Sequence, residues 1–302
     1  MARRSSPESQ GRKQAQWVMR RLQGRNQHIA SKGTARNYES ALRGIGARLA
    51  ACQVDMVKIS PQQAMDYLQD RALEVSQSTL DMERQALTMM FRHVTHQLDP
   101  EHSLERVFVP APEELEARAY TQEQVSLILE RQTDRNALAT EIAHAAGLRA
   151  HELLTLNHPT IQPADFRDKQ PEARELKFEG REGVVYTVVG KGGLVREVML
   201  PMDLAQRLEE SRLSEPVTVY DRRIEYQCHY DVGGGRSWSQ SFSSASERAL
   251  GWSSGAHGLR HSYAQERMEE LQSAGYTREI SLAIVSQEMG HFRPDITEVY
   301  LR

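Results

Sequence analysis

Residues 184–200 read VVYTVVGKGGLVREVML, with β-branched residues on both sides of a glycine-rich break. That pattern predicts a β-hairpin whose turn carries Lys191. It constrains the fold strongly, because nearly all other patterned segments of this 302-residue chain are helical. Tyr38, Leu42, Ile45 and Leu49 recur at helical spacing behind Thr34, which is read as a cap. Ala64 and Leu68 follow a Ser-Pro pair, and Leu80, Ala86, Met90 and Val94 line a third helix. Thr121, with Glu123 and Gln124 behind it, opens another. The expected class is therefore mainly α with a small β-sheet or hairpin (α+β).

The length suits two domains. Residues 1–13 are polar, lack periodicity and are expected to be disordered. Residues 14–100 form the expected helical domain, and the proline- and acid-rich segment 101–118 a linker. Residues 119–302 form the expected second domain, which contains the hairpin. Residues 223–238 carry no pattern and are expected to be a surface loop.

Charge is divided unevenly. The chain has a net charge of −3, yet residues 1–100 hold 15 Lys/Arg against 9 Asp/Glu. Residues 1–37 hold nine Lys/Arg and one acid, Glu8. Local potential governs phosphate binding, so the basic first domain points to nucleic acid. Arg20, Arg21, Arg25, Lys32 and Arg36 are the candidate DNA contacts. No apolar run approaches the roughly 18–20 residues a spanning helix needs, and the charged N-terminus lacks the apolar stretch of a secretory signal. A membrane role is not expected. Two distant cysteines, Cys52 and Cys228, suggest a reduced, cytoplasmic protein without a cysteine-based zinc site.

In HGLRH, residues 257–261, the side chains of His257, Arg260 and His261 share one helical face. They repel one another unless an anion faces them. A two-histidine metal site competes with this reading, but the nearby acids supply no third ligand at a characteristic spacing. A solvated basic face is the blandest alternative.

Four stretches stand out together: GLRAHELL, GKGGLVREV, HGLRH and MGHFRPDITEVYL. They contain, in order, Arg149 with Glu152, Lys191, His257 with Arg260, His291, and Tyr300 nine residues after His291. In order and spacing this set resembles the tyrosine recombinase (integrase) family over roughly residues 118–302. The helical region 30–98 resembles the family's core-binding domain by pattern and position only.

The chemistry agrees with the resemblance. Attack on a phosphodiester places extra charge on the non-bridging oxygens, which preorganised donors must stabilise. Arg149 and Arg260 suit that task, being planar, charged and able to bind phosphate bidentately. A neutral phenol is a poor nucleophile, and an imidazole can take the Tyr300 proton. The resemblance implies Lys191 as the acid protonating the leaving 5′ oxygen. His257 and His291 both remain candidates for binding the phosphate or managing the tyrosine proton. Glu152 is expected to orient the Arg149 region, and His261 to be structural. Ser253, Ser254 and Gly255 are expected to open a helix whose N–H groups also favour an anion. Neither a cofactor nor a metal is called for.

The resemblance further implies a two-domain DNA clamp acting on double-stranded DNA with a specific core site. It implies a homotetramer on two duplexes, accessory DNA-bending or directionality proteins, and a bacterial mobile element integrated or excised in the cytoplasm at the nucleoid. The sequence ends two residues after Tyr300, where many relatives continue into a segment that docks on a neighbouring protomer. Fewer than 30 residues precede the first domain's main helices, so no folded arm-binding domain is expected. Relaxation of DNA in the manner of a type IB topoisomerase is the alternative enzyme reading. A non-catalytic DNA-binding regulator is the alternative of another class.

Overall fold

The computed structural model describes residues 5–24, 28–110 and 116–302. Arg25, one of the candidate DNA contacts, lies outside them, as do residues 1–4 of the expected tail. The chain divides into two compact units, Met1–Glu114 and Leu115–Arg302.

The first unit is helical: α1 (Pro7–Leu22), α2 (Lys32–Ala51), α3 (Pro61–Arg71) and α4 (Gln77–His93). The structure differs from the expectation of a disordered segment to residue 13. Helix α1 begins at Pro7, with Ser6 accepting from Ser9 N and Glu8 in the first turn. These are strong helix-start signals, hidden by a polar composition. Gly11 gives the segment its packing partner. A Cβ there would lie 2.4 Å from Ala47 N, and one on Gly46 2.9 Å from Gly11 Cα. The two glycines let α1 and α2 touch backbone to backbone. Val18 and Leu22 then meet Leu42 and Ile45 in a core completed by Leu68, Met90 and Phe91. Ser31, not Thr34, caps α2 by accepting from Thr34 N.

Residues 101–110 of the expected linker also belong to this unit. Arg84 Nη1 donates to Leu104 O at 2.8 Å, and Gln77 brackets the strip through Val107 O and Val109 N. Leu104 is buried. Prolines and acids obscure Leu104, Val107 and Val109, whose apolar side chains hold the strip to α4.

In the second unit come α5 (Gln122–Leu129) and α6 (Asp134–Ala145), then a 3-10 turn at Glu152–Thr155 and the short α7 (Pro171–Glu175). Thr121 and Gln124 form the predicted capping box of α5. The predicted hairpin is β1 (Val184–Val189) paired antiparallel with β2 (Val195–Leu200), in register Val184↔Leu200 to Val189↔Val195. Helix α8 (Met202–Glu210) follows.

A second hairpin then departs from expectation: β3 (Arg212–Asp221) pairs with β4 (Ile224–Tyr230), and β4 and the start of the next helix occupy the segment 223–238 that was expected to be a surface loop. Pro216, a register irregularity between Arg212 and Val217, and an Arg-Arg turn removed the usual strand and turn signals. Helices α9 (Gly235–Leu250), α10 (Gly258–Ser273), α11 (Arg278–Glu288) and α12 (Pro294–Glu298) complete the unit.

Its main core gathers Tyr120, Ile142, Leu153, Tyr186, Val198, Trp238, Phe242 and Leu259. A smaller core joins Tyr263, Met268, Leu271, Leu282, Val285 and Met289, with Tyr300 at its margin. The fold is thus mainly helical with two small antiparallel sheets. Among the described residues no helix is long and apolar enough to cross a membrane.

Candidate active site

The site is built on Glu152. This carboxylate is fully buried, and it accepts from Arg149 Nη1 at 2.7 Å, Arg149 N at 2.8 Å and Arg196 Nη2 at 2.9 Å. Burial alone would raise its pKa. The guanidinium groups of Arg196, Arg260 and Arg149 outweigh burial and hold it far below the ordinary carboxylate range. Three arginines thus face one carboxylate.

Arg196 belongs to none of the motif positions picked out in the sequence. It lies on β2 at an inward position shared with Val198 and Leu200, the alternate buried residues of that strand. A charged residue in an apolar alternation was the available signal. Its other terminal nitrogen donates to Glu288 O at 2.7 Å. Gly290, with φ 70°, makes room for it, since a Cβ there would lie 2.6 Å from Arg196 Cδ. The glycine before His291 therefore serves the arginine behind it.

Arg260 has no exposed surface. Its Nη1 donates to Gly147 O, and its Nη2 to Met289 O at 2.6 Å and to His291 Nε2 at 2.9 Å. Its Nε is buried without a partner. Burial, then Arg149, pushes its pKa down to about 9, which leaves it charged at neutral pH. Its place in the motif predicts a direct phosphate ligand. In this arrangement Arg260 is the floor of the site, whereas Arg149 is about one-fifth exposed.

The role of His291 follows from donor counting. An arginine offers only donors, so His291 Nε2 must accept, and Nδ1 carries the proton that bonds Thr297 Oγ1 at 2.9 Å. His291 is therefore neutral, and its pKa falls to about 2 through burial first and then Arg260, Arg149 and Arg196.

His257 stands differently. Its Nε2 is 3.2 Å from the Tyr300 hydroxyl. Its pKa is lowered to about 4, by partial burial first and then by Arg260, His261, Arg149 and Arg118. At neutral pH it is the proton-accepting form. Its Nε2 can take the phenol proton while Nδ1 keeps its own.

Tyr300 itself lies in a box. Its ring centroid is 4.8 Å from that of His261, 5.1 Å from His291 and 5.5 Å from His257. Arg260 Cζ lies 5.5 Å from the same ring. Gln265 fastens the segment by donating to Tyr300 O at 3.2 Å and Arg302 O at 2.9 Å. His261 is buried, with Nδ1 unpartnered.

The start of α10 corrects one expectation. Ser253 and Ser254 do not cap it; Ser254 N donates to the Tyr120 hydroxyl, and His257 occupies the cap position. The first N–H groups of the helix turn back onto Gly255 O, Ala256 O and His257 O. The anion preference of this corner comes from side chains.

Lys191 is exposed and, among the described residues, has no hydrogen bond or ion pair. The structure does not bring it into the cluster. It does fix the root of its turn: Val189 N donates to Thr155 Oγ1, and Asp165 brackets Val195 through both backbone and carboxylate. A Cβ on Gly190 would sit 3.4 Å from Glu152 Oε1. Residues 190–194 form a five-residue flap at the end of the hairpin, a 3-10 turn at Lys191–Gly193 closed by Gly190 N donating to Leu194 O at 2.6 Å.

Arg20, Arg21, Lys32 and Arg36 are exposed in the first unit. Arg21 stacks on the exposed Trp17, with Cζ 3.5 Å from the ring centroid.

No protein-family model and no curated protein matches the chain. Solved structures do. XerH site-specific recombinase bound to palindromic difH substrate, in a post-cleavage complex, aligns over 100% of this chain and 94% of its own, with 15% identity and a TM-score of 0.56. A lambda integrase tetramer bound to a Holliday junction aligns over 95% of this chain and 76% of its own, with 15% identity and a TM-score of 0.58. The Tn1549 transposon integrase in complex with transposon right-end DNA aligns over 96% and 94%, with 14% identity and a TM-score of 0.55. At these identities the likeness is one of fold, and it extends through both units.

Proposed function

We propose that this chain is a tyrosine-type site-specific DNA recombinase. One observation carries the reading: the cationic excess of Arg149, Arg196 and Arg260 over Glu152 adjoins a tyrosine hydroxyl already paired with a neutral imidazole. Buried like charges repel, and a phosphodiester is the anion that both relieves them and offers the tyrosine something to attack. The shared fold with recombinases and integrases supports the same conclusion.

In the reaction, His257 takes the Tyr300 proton as the phenolate oxygen attacks phosphorus. A 3′-phosphotyrosyl bond forms and the 5′ oxygen leaves. Arg149, the more accessible arginine, meets the phosphate first. Arg260 reaches it once the Tyr300 ring shifts toward phosphorus. Glu152, Arg196 and His291 hold the two arginines in place. Lys191, carried in by the flap, protonates the leaving oxygen. The new 5′ hydroxyl of a partner duplex then attacks the phosphotyrosyl bond, so the ester's energy is retained and no ATP is consumed.

Arg20, Arg21, Lys32 and Arg36 bind flanking phosphates of double-stranded DNA with a specific core site. The assembly is a homotetramer on two duplexes, served by accessory DNA-bending or directionality proteins. The biological task is integration or excision of a mobile element in the bacterial cytoplasm, at the nucleoid.

The test uses DNA flanking the protein's own gene. Exchange of strands between two such duplexes supports the recombinase. Relaxation of supercoiled DNA without site preference supports the topoisomerase reading. If Arg149→Ala lowers cleavage and leaves binding intact, the pocket is catalytic. Equal loss of both would favour a DNA-binding regulator.

A further inference from the structure

The β3–β4 hairpin takes no part in the chemistry above, yet its turn is built at a cost and in a particular place. Arg222 and Arg223 have φ of 51° and 67°. Two successive left-handed residues make the mirror-image turn that tight hairpins favour, for which Asn-Gly is the preferred pair. A Cβ is unfavourable in that conformation, so two cations stand where the backbone prefers small residues. Backbone strain of this kind clusters at functional positions.

The turn is also anchored beside the cluster. Asp221 accepts from Arg236 N at 3.0 Å, and a Cβ on Gly235 would lie 2.9 Å from the Asp221 carboxyl carbon. Gly235 N in turn donates to Ala150 O at 2.7 Å. Ala150 is the neighbour of Arg149. Farther along, Cys228 Sγ donates to Leu154 O at 3.4 Å, fixing β4 to the 3-10 turn that carries Glu152. Arg222, Arg223 and Arg236 are exposed at this corner. Asp221 is the acid among them, its side chain 13% exposed and 3.9 Å from Arg222 Nε. Glu225, the next acid, accepts from the Tyr220 hydroxyl at 3.0 Å.

We propose that the β3–β4 turn is a DNA-backbone contact, with Arg222 and Arg223 holding a phosphodiester of the duplex that flanks the one taken by Arg149. The ligand is defined by its chemistry: the sugar–phosphate backbone of double-stranded DNA, held without base readout. The assignment rests on the recombinase reading of Arg149 and Tyr300.

The test is the salt dependence of binding by the full chain to the duplex flanking its gene. Arg222→Asn with Arg223→Gly suits the turn better than the native pair, so the variant retains its fold, as a thermal melt would verify. Each phosphate contact contributes about −0.9 to the slope of log K against log salt. The variant is expected to lose roughly 0.9 units of slope, the share of one phosphate, while Arg222→Lys with Arg223→Lys keeps the native slope. An unchanged slope and affinity in the Asn-Gly variant would overturn the proposal. So would an unchanged slope accompanied by loss of self-association, which would make the turn a protein contact. If the native chain neither binds this duplex nor forms a Tyr300 adduct, the recombinase reading fails and takes this proposal with it. If native binding and adduct are normal and only the slope prediction fails, the hairpin assignment alone is wrong.

Discussion

The Tyr300 hydroxyl and His257 Nε2 lie 3.2 Å apart, while His291 is committed to Arg260 and Thr297. Two histidines that looked equivalent in the sequence therefore separate into a proton acceptor and a positioning group. Removing a positioned general base typically lowers a rate by about 10²–10⁴-fold. His257→Ala is expected to slow covalent attack by that order in single-turnover trapping, with DNA affinity retained. A rate within about twofold of the native chain would remove His257 from the proton transfer.

Arg196 predicts a different phenotype. It is buried and holds both Glu152 and the Glu288 carbonyl. Breaking a buried ion pair by deleting one partner costs on the order of 3–5 kcal/mol. Arg196→Ala is expected to lower the urea midpoint strongly and to lower cleavage with it. Arg149, by contrast, is partly exposed; Arg149→Ala is expected to cost about 10²–10³-fold in cleavage, the scale of a lost transition-state donor, with a smaller change in the melt. If the two variants were equally stable, the supporting role given to Arg196 would be wrong.

The flap makes Lys191 testable by leaving-group chemistry. A 5′-bridging sulfur leaves without needing a proton, so it should restore cleavage to Lys191→Ala and not to Arg149→Ala. Asp165→Ala, which frees one root of the flap at Val195, should show a smaller defect that the sulfur substrate also relieves. Failure of the sulfur to rescue Lys191→Ala would exclude it as the general acid.

Stability should depend on pH in a direction fixed by the histidines. His257, His261 and His291 titrate at about 4, about 4 and about 2 in the folded chain, against an ordinary 6.5. Burial comes first in each case, followed by nearby cations. Below pH 6.5 the unfolded chain binds protons that the folded chain refuses. Stability rises with pH wherever the unfolded state holds more protons. This contribution is complete above about pH 7 and is lost as pH falls from 6.5 toward 4. Glu152, whose folded pKa is depressed, adds a further loss below its unfolded value of about 4.5. Urea midpoints at pH 7.5, 6.5 and 5.0 should decline in that order, and His261→Gln should flatten the decline. Equal midpoints would show that these histidines are not held neutral.

Much of the arrangement was legible from residue order. The hairpin at 184–200 was visible because β-branched residues flank glycines, and the capped start of α5 because Thr121 and Gln124 are three apart. Arg149, His257, Arg260, His291 and Tyr300, singled out by their order and spacing, come together in the structure. What remained hidden was decided by tertiary partners. The first half of α1, residues 7–13, reads as a tail in sequence until Gly11 meets Gly46. The β3–β4 hairpin carries arginines where turn residues were expected. Arg196 reads as one more strand charge until its register places it inward against Glu152. The proton on His291 is fixed by an arginine 31 residues away.

The most direct measurement is to trap the covalent intermediate and identify the residue that holds it. The full chain is mixed with a nicked duplex carrying the DNA flanking its gene, denatured in SDS, and digested with trypsin and nuclease for mass spectrometry. The expected product is a nucleotide joined through its 3′ phosphate to the tyrosine of the C-terminal peptide, with no adduct from Tyr300→Phe despite unchanged binding. A nucleotide on any other residue, or an adduct that persists in Tyr300→Phe, would contradict it.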